Sequence, residues 1–209
     1  MKNILFIGFL LLALTACKKK KELTFSMSGI VTDATFSKPL DGASVILYQK
    51  PSGGGMMKTV GSTTISSDGK FQFTFKREQA EKYFMEIKKN NYFDIYEPVS
   101  YDDFSTEQEL VRNYTTTAQS WVKLKFKNIA PKSNVDILKW TKQQGKSGCP
   151  TCCTLDQTIL LGEIDTTYKY ISDGNTTFSY IYNTTNPTSN GVKQITTVAF
   201  DTVTLLLEY

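Results

Sequence analysis

Phe71, Phe73 and Phe75 alternate with Gln72, Thr74 and Lys76, and this period of two constrains the fold more than any other feature of the chain. Successive side chains on a strand point to opposite faces, so such a run buries one face and wets the other. The same alternation recurs at Phe25, Met27, Gly29 and Val31, at Tyr83, Met85 and Ile87, and at Val122, Leu124 and Phe126. It returns at Phe178, Tyr180 and Tyr182, and again at Val203, Leu205, Leu207 and Tyr209. Turn signals separate the runs: Asp41-Gly42, Pro51-Ser52-Gly53-Gly54-Gly55, Ser67-Asp68-Gly69 and Asp173-Gly174-Asn175. Thr, Ser, 13 Phe and 11 Tyr suit a pleated, half-buried surface. Many short strands with frequent turns predict an all-β chain of two tandem β-sandwiches.

Further strands are expected at 43–48, 59–65, 92–96 (stopped by Pro98), 135–140, 158–164, 167–171, 192–200 and 201–209. Ser67-Asp68-Gly69 reads as a hairpin turn. Residues 76–82 read as one helical turn. Residues 97–117 break the alternation and read as a linker, with a helical turn near 106–111; Tyr101, Phe104 and Tyr114 offer packing between domains as the alternative.

The N-terminus sets the address. Lys2 precedes an uncharged apolar run, 4–14, followed by Leu14-Thr15-Ala16-Cys17. The run is shorter than the roughly 20 residues needed to cross a bilayer core, and the layout is that of a secretory signal peptide. The tetrapeptide closely resembles the lipobox of bacterial lipoproteins. The resemblance implies cleavage before Cys17, a diacylglycerol thioether on Cys17 and acylation of the freed amine. The chain would then be lipid-anchored in the outer membrane, at the cell surface or on the periplasmic face. Lys18 to Lys21 read as a solvated spacer, able to lie on anionic head groups at about 1 kcal/mol per Lys.

Three further blocks come in order: Gly29-Ile30-Val31-Thr32-Asp33, Pro39-Leu40-Asp41-Gly42-Ala43-Ser44-Val45-Ile46-Leu47 and Ser67-Asp68-Gly69-Lys70-Phe71-Gln72-Phe73. Together they resemble the carboxypeptidase regulatory-like domain, a transthyretin-like, Ig-type β-sandwich. The resemblance covers 24–98 and implies a structural or adhesive module with no catalytic residues to carry over. Related pilus-type sandwiches cross-link a Lys to an Asn; the first strand here contains no lysine, so that bond is not expected. The second half is similar to the second Ig-like sandwich of two-domain lipoproteins. The expected organisation is signal peptide 1–16, lipidated cysteine and tether 17–23, first sandwich 24–98, linker 99–117 and second Ig-like sandwich 118–209.

The chain has no histidine. That excludes Ser-His-Asp and Cys-His nucleophilic catalysis and HExxH zinc hydrolysis, while a carboxylate pair stays open as an enzymatic route. The net charge of +4 falls to near neutral without Lys18 to Lys21, so no nucleic-acid partner is expected.

Cys149-Pro150-Thr151-Cys152-Cys153 is the sharpest local motif. An exported compartment favours disulfides. Three thiols give one bridge, Cys149 to Cys152 or Cys149 to Cys153, and one free thiol; a vicinal Cys152–Cys153 bridge, a metal site and a redox C-x-x-C are the alternatives. Gly145-Lys146-Ser147 lacks the first glycine of a P-loop, since position 140 is Trp. Lys123, Lys125 and Lys127 read as a charged outer face that keeps a strand soluble and discourages edge pairing, with binding of an anionic glycan or lipid head group as the functional alternative. Trp121, Trp140, Tyr101 and Phe104 are candidates for sugar stacking, with core packing as the plainer reading. Asp102-Asp103 lacks the ligand spacing of a calcium loop.

No catalytic residue, metal or cofactor is expected. The sequence points to a membrane-anchored, non-enzymatic lipoprotein in binding, adhesion or envelope assembly, with an unknown protein or glycan partner. The alternative is a glycan-binding accessory module of a surface uptake system.

Overall fold

The computed structural model describes residues 22–129 and 132–209. Cys17, the expected signal peptide and the lysine spacer lie outside the described residues. The first half contains β1 (Thr24–Asp33), β2 (Lys38–Pro39), β3 (Ser44–Pro51), β4 (Lys58–Thr64), β5 (Lys70–Lys76), β6 (Ala80–Lys88), β7 (Ile95–Ser100), β8 (Leu110–Val111) and β9 (Tyr114–Thr116). The second contains β10 (Gln119–Lys127), β11 (Ile137–Gln144), β12 (Thr158–Leu161), β13 (Asp165–Asp173), β14 (Thr177–Thr185), β15 (Thr188–Thr196) and β16 (Thr202–Glu208).

Both halves have the same strand order. In the first, β1 pairs antiparallel with β5 along one edge and parallel with β8 and β9 along the other. The facing sheet runs β4-β3-β6-β7. In the second, β10 lies between antiparallel β13 and parallel β16, and the facing sheet runs β12-β11-β14-β15. The inward residues of each sheet pair form one core. Phe25, Met27, Val45, Leu47, Phe73, Tyr83 and Met85 fill the first. Val122, Leu124, Phe126, Trp140, Phe178, Tyr180 and Leu207 fill the second. The chain is all-β, as the alternation requires, and consists of two β-sandwiches.

Several local expectations change. Residues 99–117 are not a linker: a short 3-10 turn (Tyr101–Asp103), β8 and β9 complete the first sandwich. Phe104 and Tyr114 are buried in the first core, not between the halves. The alternation fails there because β8 and β9 share one edge of β1 in two short pieces. The expected helical turn over 76–82 does not form; Ala80 faces the core and opens β6. Pro98 does not stop a strand but lies inside β7, whose only strand partner among the described residues is β6. A proline N without hydrogen is tolerated on such an edge. The Ser67-Asp68-Gly69 turn closes through Gly69 N to Ser66 O (2.8 Å), yet β4 and β5 belong to different sheets, so it is a crossing between layers and not a hairpin. β15 begins at Thr188 instead of Val192, because Thr185 and Thr188 pair across the tight turn from β14.

The two sandwiches meet at an ordered junction. Gln119 N donates to Asn91 O (2.8 Å), and Ala118 N donates to the Thr35 hydroxyl (2.8 Å). Phe200, from the β15–β16 connection, stacks on Phe36 (5.8 Å between centroids) and meets Tyr92 at a tilt (5.4 Å, planes 60° apart). Phe200 holds φ +67°, a conformation that bulky side chains avoid. The two aromatic contacts and the bond from its N to Gln119 O (2.8 Å) hold it there.

Candidate functional site

β10 leads away from the junction, so antiparallel geometry brings β11 back toward it. β11 ends at Gln144, and the cysteine loop follows. Its place is therefore against the junction, not at a free end of the second sandwich. Cys149 and Cys152 form a disulfide, and Cys153 is a buried free thiol. Cys152 bridges to Ile171 of β13, and Ile171 N donates to Thr151 O (3.0 Å).

Two lysines hold the loop. Lys142 is 2% exposed, and its ammonium donates to Lys146 O (2.7 Å), Ser147 Oγ (2.5 Å) and Cys153 O (2.6 Å). Three donors meet three neutral oxygens, which is the full capacity of an ammonium. Burial pushes its pKa below the usual lysine value. Lys146 faces the other way. Its Nζ lies 4.5 Å from the ring centre of Phe93 in the first half and 3.2 Å from Asp173 Oδ1 in the second. Asp173 also accepts from the Thr117 hydroxyl. The loop thus touches both sandwiches through one side chain.

The chemistry available in the loop is that of a brace. Burial pushes the Cys153 thiol up to about 11, so it stays protonated and weakly nucleophilic at neutral pH. Burial likewise pushes the nearby Tyr170 phenol up to about 12. Among the described residues no group of three or more His, Cys, Asp or Glu side chains is placed to hold a metal ion.

The other candidates resolve by burial and pairing. Trp140 and Phe104 are core residues. Trp121 is half-buried, and Tyr101 is half-buried against Phe25 and Tyr83. Asp103 caps the 3-10 turn and pairs with Arg112 (2.5 Å). Lys123, Lys125 and Lys127 do lie on the outward face of β10, but that strand is central, paired on both edges. Edge protection is not their role.

Sequence reasoning missed an aromatic outer face on the first sandwich. Tyr48, Phe84 and Tyr96 point away from the core on β3, β6 and β7. Phe84 and Tyr96 stack at 5.2 Å with planes 13° apart. Lys82 Nζ lies 5.5 Å from the Phe84 ring centre, and the Tyr48 hydroxyl donates to Glu86 Oε1 (3.2 Å). The signal was present in Phe84, an aromatic at the wet position of an alternating strand.

The sequence matches no protein-family profile and no curated protein. Among solved structures, the chain is similar to the Bacillus anthracis TIE protein at 12% identity and a TM-score of 0.39, over 89% of this chain and 34% of that one. It is similar to the shaft pilin SpaA of Lactobacillus rhamnosus GG at 9% identity and a TM-score of 0.34, over 88% and 98%. A lipoxygenase from Cyanothece matches at 13% identity and 0.33, over 44% and 16%. The chain spans about a third of the Bacillus protein and about a sixth of the lipoxygenase. Similarity this low carries no argument about activity or partners.

Proposed function

We propose that the chain is a non-enzymatic lipoprotein, held to the outer membrane by lipid on Cys17, that acts as a two-sandwich stalk in binding, adhesion or envelope assembly. The observation that supports the two-sandwich stalk is the junction, where Phe200 meets Phe36 and Tyr92 and Gln119 N donates to Asn91 O. A flexible linker would suit two independent modules; a directly joined pair suits transmission of position from one end to the other. The lipid reading rests on Leu14-Thr15-Ala16-Cys17 and on the lysines after it. Several acyl chains give a stable anchor where one is marginal. Cys17→Ser is expected to release the protein from the membrane fraction; unchanged fractionation would sink the anchor. Protease shaving of intact cells then separates surface display from a periplasmic role.

The outward aromatics Tyr48, Phe84 and Tyr96 favour a second reading, a glycan-binding module, since stacked rings offer a platform for a sugar face. Glycan-array binding that is lost in Tyr96→Ala supports it. An array without hits removes it.

A further inference from the structure

The first sandwich has two ends, and the chain enters at the one opposite the junction. Thr24 pairs with Lys76, and Arg77 N donates to Leu23 O (2.9 Å). Pro51 pairs with Ala80, which brings the β3–β4 loop to this same end. Three ion pairs ring it: Lys76 with Glu22 (2.9 Å), Lys50 with Glu81 (2.8 Å) and Lys58 with Glu78. Each cation at this rim that the loop brings with it is already balanced.

The loop tip is not polar. Gly53, Gly54 and Gly55 take φ of +85°, +94° and +118°, a run of positive φ that favours glycine. Directly after them Met56 is 92% exposed and Met57 45% exposed, with Met57 Sδ 3.9 Å from the Tyr96 hydroxyl. Leu23, at the same end, is 53% exposed. Methionine is unbranched and polarizable, suited to irregular apolar surroundings. Nothing in the fold of the first sandwich requires an apolar residue at Met56.

We propose that the loop tip at Met56 and Met57 seats in the lipid interface beside the anchor. The inference rests on the reading of Cys17 as lipidated. Four residues lie between Cys17 and Glu22, so an extended connection spans at most ~18 Å. The tether end therefore faces the bilayer at close range, and the loop is the apolar projection at that end. Lys18 to Lys21, directly after Cys17 in the sequence, supply cations suited to anionic head groups. Lys50 and Lys58, which flank the loop, are paired with Glu81 and Glu78, so the tip enters the interface without desolvating an unpaired charge of its own.

The test places one tryptophan at the tip. The full chain carrying Met56→Trp is produced in bacteria, purified with its lipid and reconstituted into phosphatidylethanolamine–phosphatidylglycerol vesicles, with and without brominated acyl chains. A Val135→Trp variant is the control, since Val135 is 71% exposed just before β11, at the far end of the second sandwich. Emission from Trp121 and Trp140 is subtracted using the unsubstituted protein. Blue-shifted, bromine-quenched emission at position 56 and unshifted, unquenched emission at position 135 support the proposal. Protein that floats with vesicles but shows no quenching at 56, or equal quenching at both positions, overturns it and leaves the anchor standing. Protein that does not float, with a mature mass lacking the diacylglycerol, overturns the Cys17 reading and the loop proposal with it. A blue shift of Met56→Trp in lipid-free Cys17→Ser protein that grows with concentration assigns the tip to a second copy and also overturns the proposal.

Discussion

The Lys142 ammonium lies 2.6 Å from the carbonyl oxygen of Cys153, inside the second sandwich, and this bond ties the end of β11 to the residue that follows the disulfide. Two more bonds, to Lys146 O and Ser147 Oγ, complete the cage. Replacing Lys142 with Met fills the same space and leaves those oxygens without their donor. Hydrogen bonds from charged donors contribute about 1.5–3 kcal/mol each, and their buried partners are costly to leave unpaired, so Lys142→Met is expected to lose about 2–4 kcal/mol. A urea midpoint that falls with an unchanged m-value is the readout. An unchanged midpoint would show the cage to be incidental.

The cysteines are expected to split by reactivity. Cys153 is 2% exposed with its thiol pushed up to about 11. Native protein treated with iodoacetamide at pH 7.5 should stay unmodified at Cys153, and urea-unfolded protein should gain one adduct by mass spectrometry. Reduction of Cys149–Cys152 frees only a four-residue loop; the chain-entropy relation puts its stabilisation at about 2 kcal/mol. A larger loss on reduction would mean that the loop's hold on Phe93 and Asp173 also depends on the bridge.

Gly29 marks a close approach. A Cβ there would lie 1.7 Å from Arg112 O and 2.9 Å from Phe71 Cε1. Arg112 N donates to Ser28 O (2.9 Å), so the clash falls on the parallel pairing of β8 with β1. Gly29→Ala is expected to lose about 3 kcal/mol, the upper range for overpacking. Gly53→Ala meets no atom within 4 Å and carries only the strain of its positive φ, so a loss of about 1 kcal/mol is expected. Thermal melts of the two variants should rank in that order.

Alkaline pH should unfold the protein through its tyrosines. Burial pushes the phenols of Tyr83, Tyr92 and Tyr170 up to about 12, and Tyr180 is raised further. The folded state holds these protons more tightly than the unfolded chain does. Their contribution is complete below the ordinary tyrosine value near 10 and is lost as pH climbs through about 12. Lys142 opposes them. Its pKa is lowered by burial, so its contribution rises with pH up to the ordinary lysine value. The net expectation is a fall in stability above pH 10 that is shallower in Tyr83→Phe and Tyr180→Phe. Among the described residues their hydroxyls have no hydrogen-bond partner, so both variants should be at least as stable as the parent at pH 7.

Much of the fold was legible because alternation reports one face at a time. Phe71, Phe73 and Phe75 announced a strand, and so did Val122, Leu124 and Phe126. The stretch 99–117 was not legible, since β8 and β9 are two or three residues long and owe their existence to the free edge of β1. Pro98 misled for a related reason: whether a proline ends a strand depends on whether its N side faces a partner. The cysteine motif announced a bridge, but its place at the junction required the direction of β11.

The sequence alone determined the all-β class, the turn positions and which face of most strands is buried, because each depends on residues within a few positions of one another. The tertiary structure decided the strand order shared by both halves, the packing of Phe200 between Phe36 and Tyr92, the cage around Lys142 and the exposure of Met56. These depend on which distant segments share an edge or an end. Such pairings follow from burying two cores at once, a condition on the whole chain that no short window of residues contains.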